Sequence, residues 1–135
     1  MTIEEHLTEA DRRATLEADA RAGLTGSPKR LSPIWFYDER GSALFDDITR
    51  LPEYYLTRAE RGLLATNAAE IAAVTTADTL IELGSGTSDK TRLLLDALVA
   101  RDGDCRYVPL DVDAATLEAA ARSLTDAYPG LAVHA

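Results

Sequence analysis

A single cysteine, Cys105, excludes a disulfide within the chain and leaves no thiol pair to anchor a metal ion. Basic residues are also scarce: 14 Lys and Arg stand against 23 Asp and Glu, a net charge of -9 that disfavours DNA, RNA and anionic lipid as partners. No apolar run approaches the roughly 20 residues that span a bilayer, and the first residues lack the basic head and apolar stretch of a secretory signal. The two histidines, His6 and His134, have no nucleophile or base near them in sequence and read as surface or packing residues. These absences point to a cytoplasmic protein without a metal, acting on a small molecule. What the chain does have is apolar content, 46% of 135 residues, enough to bury one domain's core.

Helical signals dominate the first half. Thr2 with Glu5, and Thr8 with Asp11, fit capping boxes that open one or two amphipathic helices ending near Gly23. Thr25 to Pro33 reads as a loop, followed by the aromatic cluster Ile34-Trp35-Phe36-Tyr37-Asp38 and a short helix that Ser42 could cap. Leu51-Pro52-Glu53-Tyr54-Tyr55 breaks that helix, because proline removes an N–H and restricts its predecessor. Thr57 to Glu60 is a further capping box, opening a helix to about Val74 with Leu63, Leu64, Ala68, Ile71 and Ala72 on its inner face.

From residue 78 the periodicity changes. Thr79–Leu83 is a short apolar strand, Ser88 to about Ala100 a helix, and Arg106–Leu110 a second strand. Asp113 caps a helix through Ala127, and Leu131–Ala135 begins a third strand after Pro129-Gly130. Strand and helix alternating at these spacings predict an α/β fold: a parallel sheet with right-handed crossovers, the first half of a doubly wound domain. Stopping at the third strand leaves the first, the natural centre, uncovered on one side, so the chain is expected to be a fragment.

The turn after Leu83 carries the chemistry. A strand, two glycines and a helix bring main-chain N–H groups and the positive end of a helix dipole to one point. Gly84-Ser85-Gly86-Thr87-Ser88-Asp89 puts an aspartate where a dinucleotide fingerprint needs its third glycine. The same Asp89 spoils an otherwise complete phosphate-cradling match from Gly84 to Thr91, since a carboxylate there repels phosphate. A ligand without phosphate at this point, S-adenosylmethionine, remains, alongside a purely structural turn and a nicotinamide oxidoreductase. Gly84 and Gly86 would admit its close approach, Lys90 lies near the pocket mouth, and Asp111 ends the next strand, where an acid takes ribose hydroxyls. Glu82 could brace the glycine loop from the strand end. Trp35, Phe36, Phe45 and Tyr55 read most simply as packing, whereas Tyr37 and Tyr54 adjoin turns where a phenol can face a cleft.

Trp35-Phe36-Tyr37-Asp38, Leu44-Phe45-Asp46, Leu51-Pro52-Glu53-Tyr54-Tyr55, Thr57-Arg58 and Glu82-Leu83-Gly84-Ser85-Gly86-Thr87-Ser88 with Lys90-Thr91 resemble the histidine-specific S-adenosylmethionine methyltransferases of ergothioneine biosynthesis. The resemblance runs from about residue 20 to the end. It implies a Rossmann-like methyltransferase sheet and trimethylation of the α-amino group of L-histidine to hercynine. It also implies cofactor contacts at Gly84, Gly86, Lys90 and Asp111, and a histidine pocket walled by Tyr54, Tyr37 and Phe45. On this basis residues 1–76 form a helical segment contributing to the substrate site, and residues 77–135 part of the cofactor domain. Family members are longer, so the chain is expected to hold part of each site, to be inactive alone, and to belong to a monomer when full length. No general base is assigned. A module that binds cofactor or a partner protein without catalysis is the rival expectation.

Overall fold

The computed structural model describes residues 1–135, the side chain of Glu39 excepted. The expected α/β unit is present. Strands β1 (Thr79–Leu83), β2 (Cys105–Leu110) and β3 (Leu131–Val133) form one parallel sheet in that order. Helices α4 (Arg92–Asp102) and α5 (Ala114–Ala127) make the two crossovers. Before the sheet come α1 (Glu9–Thr25), a 3-10 turn (Pro33–Phe36), α2 (Glu39–Thr49) and α3 (Leu56–Thr75). No helix among the described residues is long and apolar enough to cross a membrane.

The core lies between the sheet and its helices. β2 alternates buried Cys105, Tyr107 and Pro109 with more exposed neighbours, the period-2 pattern of a strand covered on one face. Leu95 and Leu98 of α4, Leu117 and Leu124 of α5, and Leu131 and Val133 of β3 complete that face, with Ala72 of α3. Pro109 is tolerated inside the central strand because β3 pairs only as far as Tyr107, so no N–H is required of it toward β3. Arg101 ties the end of α3 to α4 by donating to the main-chain carbonyls of Ala72 and Ala77.

Several local starts differ from the sequence reading, each for an identifiable reason. Thr8 and Asp11 form the predicted capping box of α1, but Thr2 is extended: its N–H donates to Val133 O at 2.9 Å and its carbonyl accepts from Ala135 N at 2.8 Å. A strand ladder beside β3 thus satisfies the backbone that a helix was expected to satisfy. Asp38, not Ser42, caps α2, its carboxylate accepting from Gly41 N at 2.7 Å, and the helix begins about one turn earlier, at Glu39. Gly41 is required there, since a Cβ would lie 1.5 Å from the Phe36 carbonyl oxygen. At α3 the Thr57 box does not form. Tyr55 precedes the helix without a side-chain cap, Arg58 stitches the turn by donating to the carbonyls of Leu51 (2.9 Å) and Pro52 (2.6 Å), and Glu60 is engaged by Lys90. Ala68 and Ala72 face inward as expected, whereas Leu63 and Ile71 are exposed.

Candidate functional site

Strand β1 ends in a loop whose backbone glycine makes possible. Gly84 and Gly86 have φ of 68° and 51°, left-handed values that residues with a Cβ adopt at a cost. A Cβ added at either would meet nothing within 4 Å, so the need for glycine comes from the backbone conformation and not from crowding, and the space beside them is open. The loop folds back on β2: the N–H groups of Gly84 and Ser85 both donate to the Leu110 carbonyl, at 2.8 and 3.1 Å.

Asp111, the residue after β2, closes the link. One carboxylate oxygen accepts from Gly86 N at 2.8 Å and the other from Asp113 N at 3.0 Å. A carboxylate has about four lone-pair sites, so both oxygens keep capacity for a further donor such as a hydroxyl. Asp113 then caps α5, accepting from Ala115 N and Thr116 N at 3.2 Å each and from the Thr116 hydroxyl at 2.8 Å. Burial opposes charge on Asp113, but the donors of Thr116, Ala115 and Ser42 outweigh it and hold its carboxyl below the ordinary range.

Beneath the loop lies a polar network. Glu82 accepts from the Thr91 hydroxyl at 2.6 Å and from the Tyr107 hydroxyl, and Tyr107 meets the Ser88 hydroxyl at 2.8 Å. Glu82 thus ties the end of β1 to Thr91, just before α4, and to Tyr107 on β2, and not to the glycines that it was expected to brace directly. Burial, reinforced by hydrogen bonding to Glu82, pushes the Tyr107 phenol far above its usual pKa, so it stays a donor. Ser88 is left-handed (φ 58°), which delays the helix: α4 starts at Arg92 and not at the predicted Ser88.

A cleft of about 820 Å³ opens above the C-terminal ends of β1 and β2. Its floor is Leu83, Gly84, Gly86, Thr87, Leu110 and Asp111, and α5 adds Thr116. Its opposite wall comes from the helical half: Ile34, Tyr37, Ser42, Ala43, Phe45 and Asp46. Ligands of open parallel sheets bind at this end, and the volume suits a small-molecule site. The fold therefore brings together Gly84, Gly86, Asp111, Tyr37 and Phe45. Tyr54 is not part of the cleft lining but packs edge-on against Phe45, with ring centroids 6.0 Å apart. Lys90 lies outside the cleft lining and before α4, its ammonium 2.6 Å from the Glu60 carboxylate on α3.

Two further features belong to this region. Ser85 is 7% exposed, and its hydroxyl has no hydrogen-bond partner among the described residues. Tyr107 was missed by sequence reading, though a phenol in an apolar strand beside a strand bearing Glu82 is a findable sign, since a buried hydroxyl needs a partner.

The donor set fits an adenosyl ligand that lacks phosphate. The loop has open space beside both glycines, a carboxylate with spare acceptor capacity at the end of β2, and the exposed acid Asp89 where a phosphate cradle would place none. Residues 16–135 match the family described as histidine-specific methyltransferase, SAM-dependent, SAM being S-adenosylmethionine. Among curated relatives, the sequence is 57% identical over 122 residues to the histidine N-alpha-methyltransferase of Mycolicibacterium smegmatis, covering 89% of this chain and 37% of that one. It is 51% identical over 135 residues to the histidine N-alpha-methyltransferase of Mycobacterium tuberculosis, covering 100% of this chain and 42% of the other. The 4-dimethylallyltryptophan N-methyltransferase of Claviceps purpurea is 34% identical over 96 residues, 70% of this chain and 28% of that one. The chain thus spans about two fifths of the length of the two histidine N-alpha-methyltransferases.

Proposed function

The chain belongs to the histidine-specific, S-adenosylmethionine-dependent methyltransferases, and from that premise we propose that this protein methylates the α-amino group of L-histidine, three times over, to hercynine. The observation that carries the reading is the convergence, in one cleft, of the Gly84–Gly86 loop, the Asp111 carboxylate and the aromatic wall of Tyr37 and Phe45. The 51% and 57% identity to histidine N-alpha-methyltransferases favours histidine over another amino acid.

In this reading the loop and Asp111 hold the methyl donor, Asp111 through the ribose hydroxyls, and Lys90 joins them by exchanging Glu60 for the donor's carboxylate. When bound, the donor supplies a sulfonium-activated methyl group. The protein's own task is then alignment. Tyr37 and Phe45, the latter steadied by Tyr54, form one face of the acceptor site, where aromatic rings tolerate both an amine and the quaternary ammonium it becomes. Each transfer replaces one N–H by N–CH3 and releases a proton, so the amine must reach the donor unprotonated. The acidic balance of the chain, -9, suits a cationic donor and an amine acceptor. The protein works in the cytoplasm as a monomer.

Calorimetric titration with S-adenosylhomocysteine tests the donor site: binding of this ligand but not of NAD is expected, and the reverse would replace the reading with an oxidoreductase. Asp111→Ala should weaken that binding by about 1 to 3 kcal/mol, because it removes a ribose acceptor and frees the Gly86 amide together. Mass detection of three added methyls on histidine, and none on tryptophan derivatives, tests the acceptor. Donor binding without transfer to any amino acid would favour a non-catalytic module.

A further inference from the structure

The hydrogen-bond network under the loop has a direction. A phenol has one hydrogen to give, and Tyr107 gives it to Glu82, which as a carboxylate can only accept. The Ser88 hydroxyl must then donate to the Tyr107 oxygen, 2.8 Å away, while Thr91 donates to the same Glu82 oxygen at 2.6 Å. The two residues between which the chain turns from loop to helix, Ser88 and Thr91, are thereby fixed to two adjacent strands. Neither Ser88 nor Thr91 spends its hydroxyl as a helix cap.

The cost of the arrangement indicates its use. Ser88 is a residue with a Cβ in a left-handed conformation, a state that persists where neighbours over-determine it. Tyr107 is fully buried within an otherwise apolar core cluster, where phenylalanine would fill nearly the same volume without a polar atom to satisfy. Its hydroxyl contributes nothing to packing that a ring alone would not. It joins Glu82 on β1 to the turn at Ser88, each bonded directly to the phenol oxygen, and the Ser88 N–H in turn closes on Ser85 O at 2.9 Å. Ser85 stands between the two glycines of the cleft floor.

We infer that Tyr107 is a positioning residue for the glycine loop: its hydroxyl, acting through Ser88 and Glu82, keeps the Gly84–Gly86 backbone in the shape that receives the ligand. The inference rests on the reading of that loop as the methyl-donor site. Tyr107 itself does not line the cleft and has no part in the chemistry.

The test uses the full-length protein with Tyr107→Phe, Glu82→Ala and Glu82→Gln. In ligand-free protein, amide exchange over residues 84–91 should quicken about tenfold in Tyr107→Phe, the loss of one buried hydrogen-bond link, while α5 exchanges as before. S-adenosylhomocysteine should bind about tenfold more weakly, the KM for S-adenosylmethionine should rise in step, and kcat at saturating donor should stay within about twofold. Glu82→Ala, which also frees Thr91, should weaken binding at least as much as Tyr107→Phe, and Glu82→Gln, which keeps an acceptor oxygen, should recover most of the affinity. Unchanged exchange and affinity in Tyr107→Phe would overturn the inference, as would faster exchange of loop and α5 alike, which marks a packing role. If the unaltered protein binds no S-adenosylhomocysteine, the methyl-donor reading falls, and the exchange experiment still decides whether Tyr107 positions the loop.

Discussion

The two halves of the chain hold their shapes by different means. Among the described residues, every buried one lies at or after Ala68, so the sheet half is organised by burial. Residues 1–67 are organised by polar links between neighbours: the Thr8–Asp11 box, the Trp35 indole on Asp19 at 2.7 Å, Asp38 on Gly41, and Arg58 on the turn at Leu51-Pro52. The cleft is where these halves meet, and it inherits both characters. Its floor is fixed by a core, and its aromatic wall is held by surface hydrogen bonds that contribute about 1 kcal/mol each.

That contrast can be broken most directly by truncating one large apolar residue from each half. Leu124→Ala, in the fully buried part of α5, should cost about 2 to 5 kcal/mol in urea unfolding, whereas Phe36→Ala, at a residue 67% exposed, should stay within about 0.5 kcal/mol. A cost above about 1 kcal/mol for Phe36 would mean that its face is packed in solution. The helix caps offer a finer comparison. Asp113→Ala should lower global stability by about 0.5 to 2 kcal/mol, while Thr8→Ala should fray α1, which buries no residue, and leave the global midpoint in place. Circular dichroism with urea unfolding separates the two outcomes.

Asp113 also carries a pH signature. Its folded pKa lies below the unfolded value of about 3.9, so its stabilisation is complete above that value and is lost as pH falls through the lower folded pKa. Asp113→Asn keeps a capping oxygen but not the charge, so it should lower stability near pH 7 by part of the Asp113→Ala cost and flatten the stability curve below about pH 4. A small, salt-dependent effect is expected at the ion pair that links α3 to the segment before α4. Glu60→Gln removes the partner of Lys90 from a largely exposed pair and should cost no more than about 1 kcal/mol, shrinking with added salt.

Sequence alone located the sheet half well because its signals are local and repeated. β1 runs over Thr79–Leu83 as read, Asp113 caps α5, and α5 ends at Ala127. Alternating burial and a side-chain cap are written within a few residues, and the order of strands and helices then dictates a parallel sheet. The family resemblance was legible for the same reason, since its strings are contiguous. What escaped were features fixed by distant partners. Ser88 looks like a helix start until Tyr107 claims its hydroxyl, Glu60 looks like a capping-box acid until Lys90 claims its carboxylate, and Leu63 lies on an apolar stripe that the observed packing does not use. Within the cleft, Gly84, Gly86, Asp111, Tyr37 and Phe45 were all legible, but the bond from Asp111 to the Gly86 amide was not, because it joins two loops that only the folded sheet brings together.

The extended segment at Thr2–Glu4 bears on the order of folding. It lies parallel to the end of β3, so residue 2 is joined to residue 134, and no strand pairing among the described residues closes a longer loop. Loop closure of that length is entropically costly and gains only a few main-chain bonds, and it has no template until β3 is itself in place. Residues 2–4 are therefore expected to settle late, a seam sewn after the sheet has formed. A seam of this kind also opens first, which makes the amides of residues 2–4 a sensitive early reporter of sheet loosening in any of the variants above.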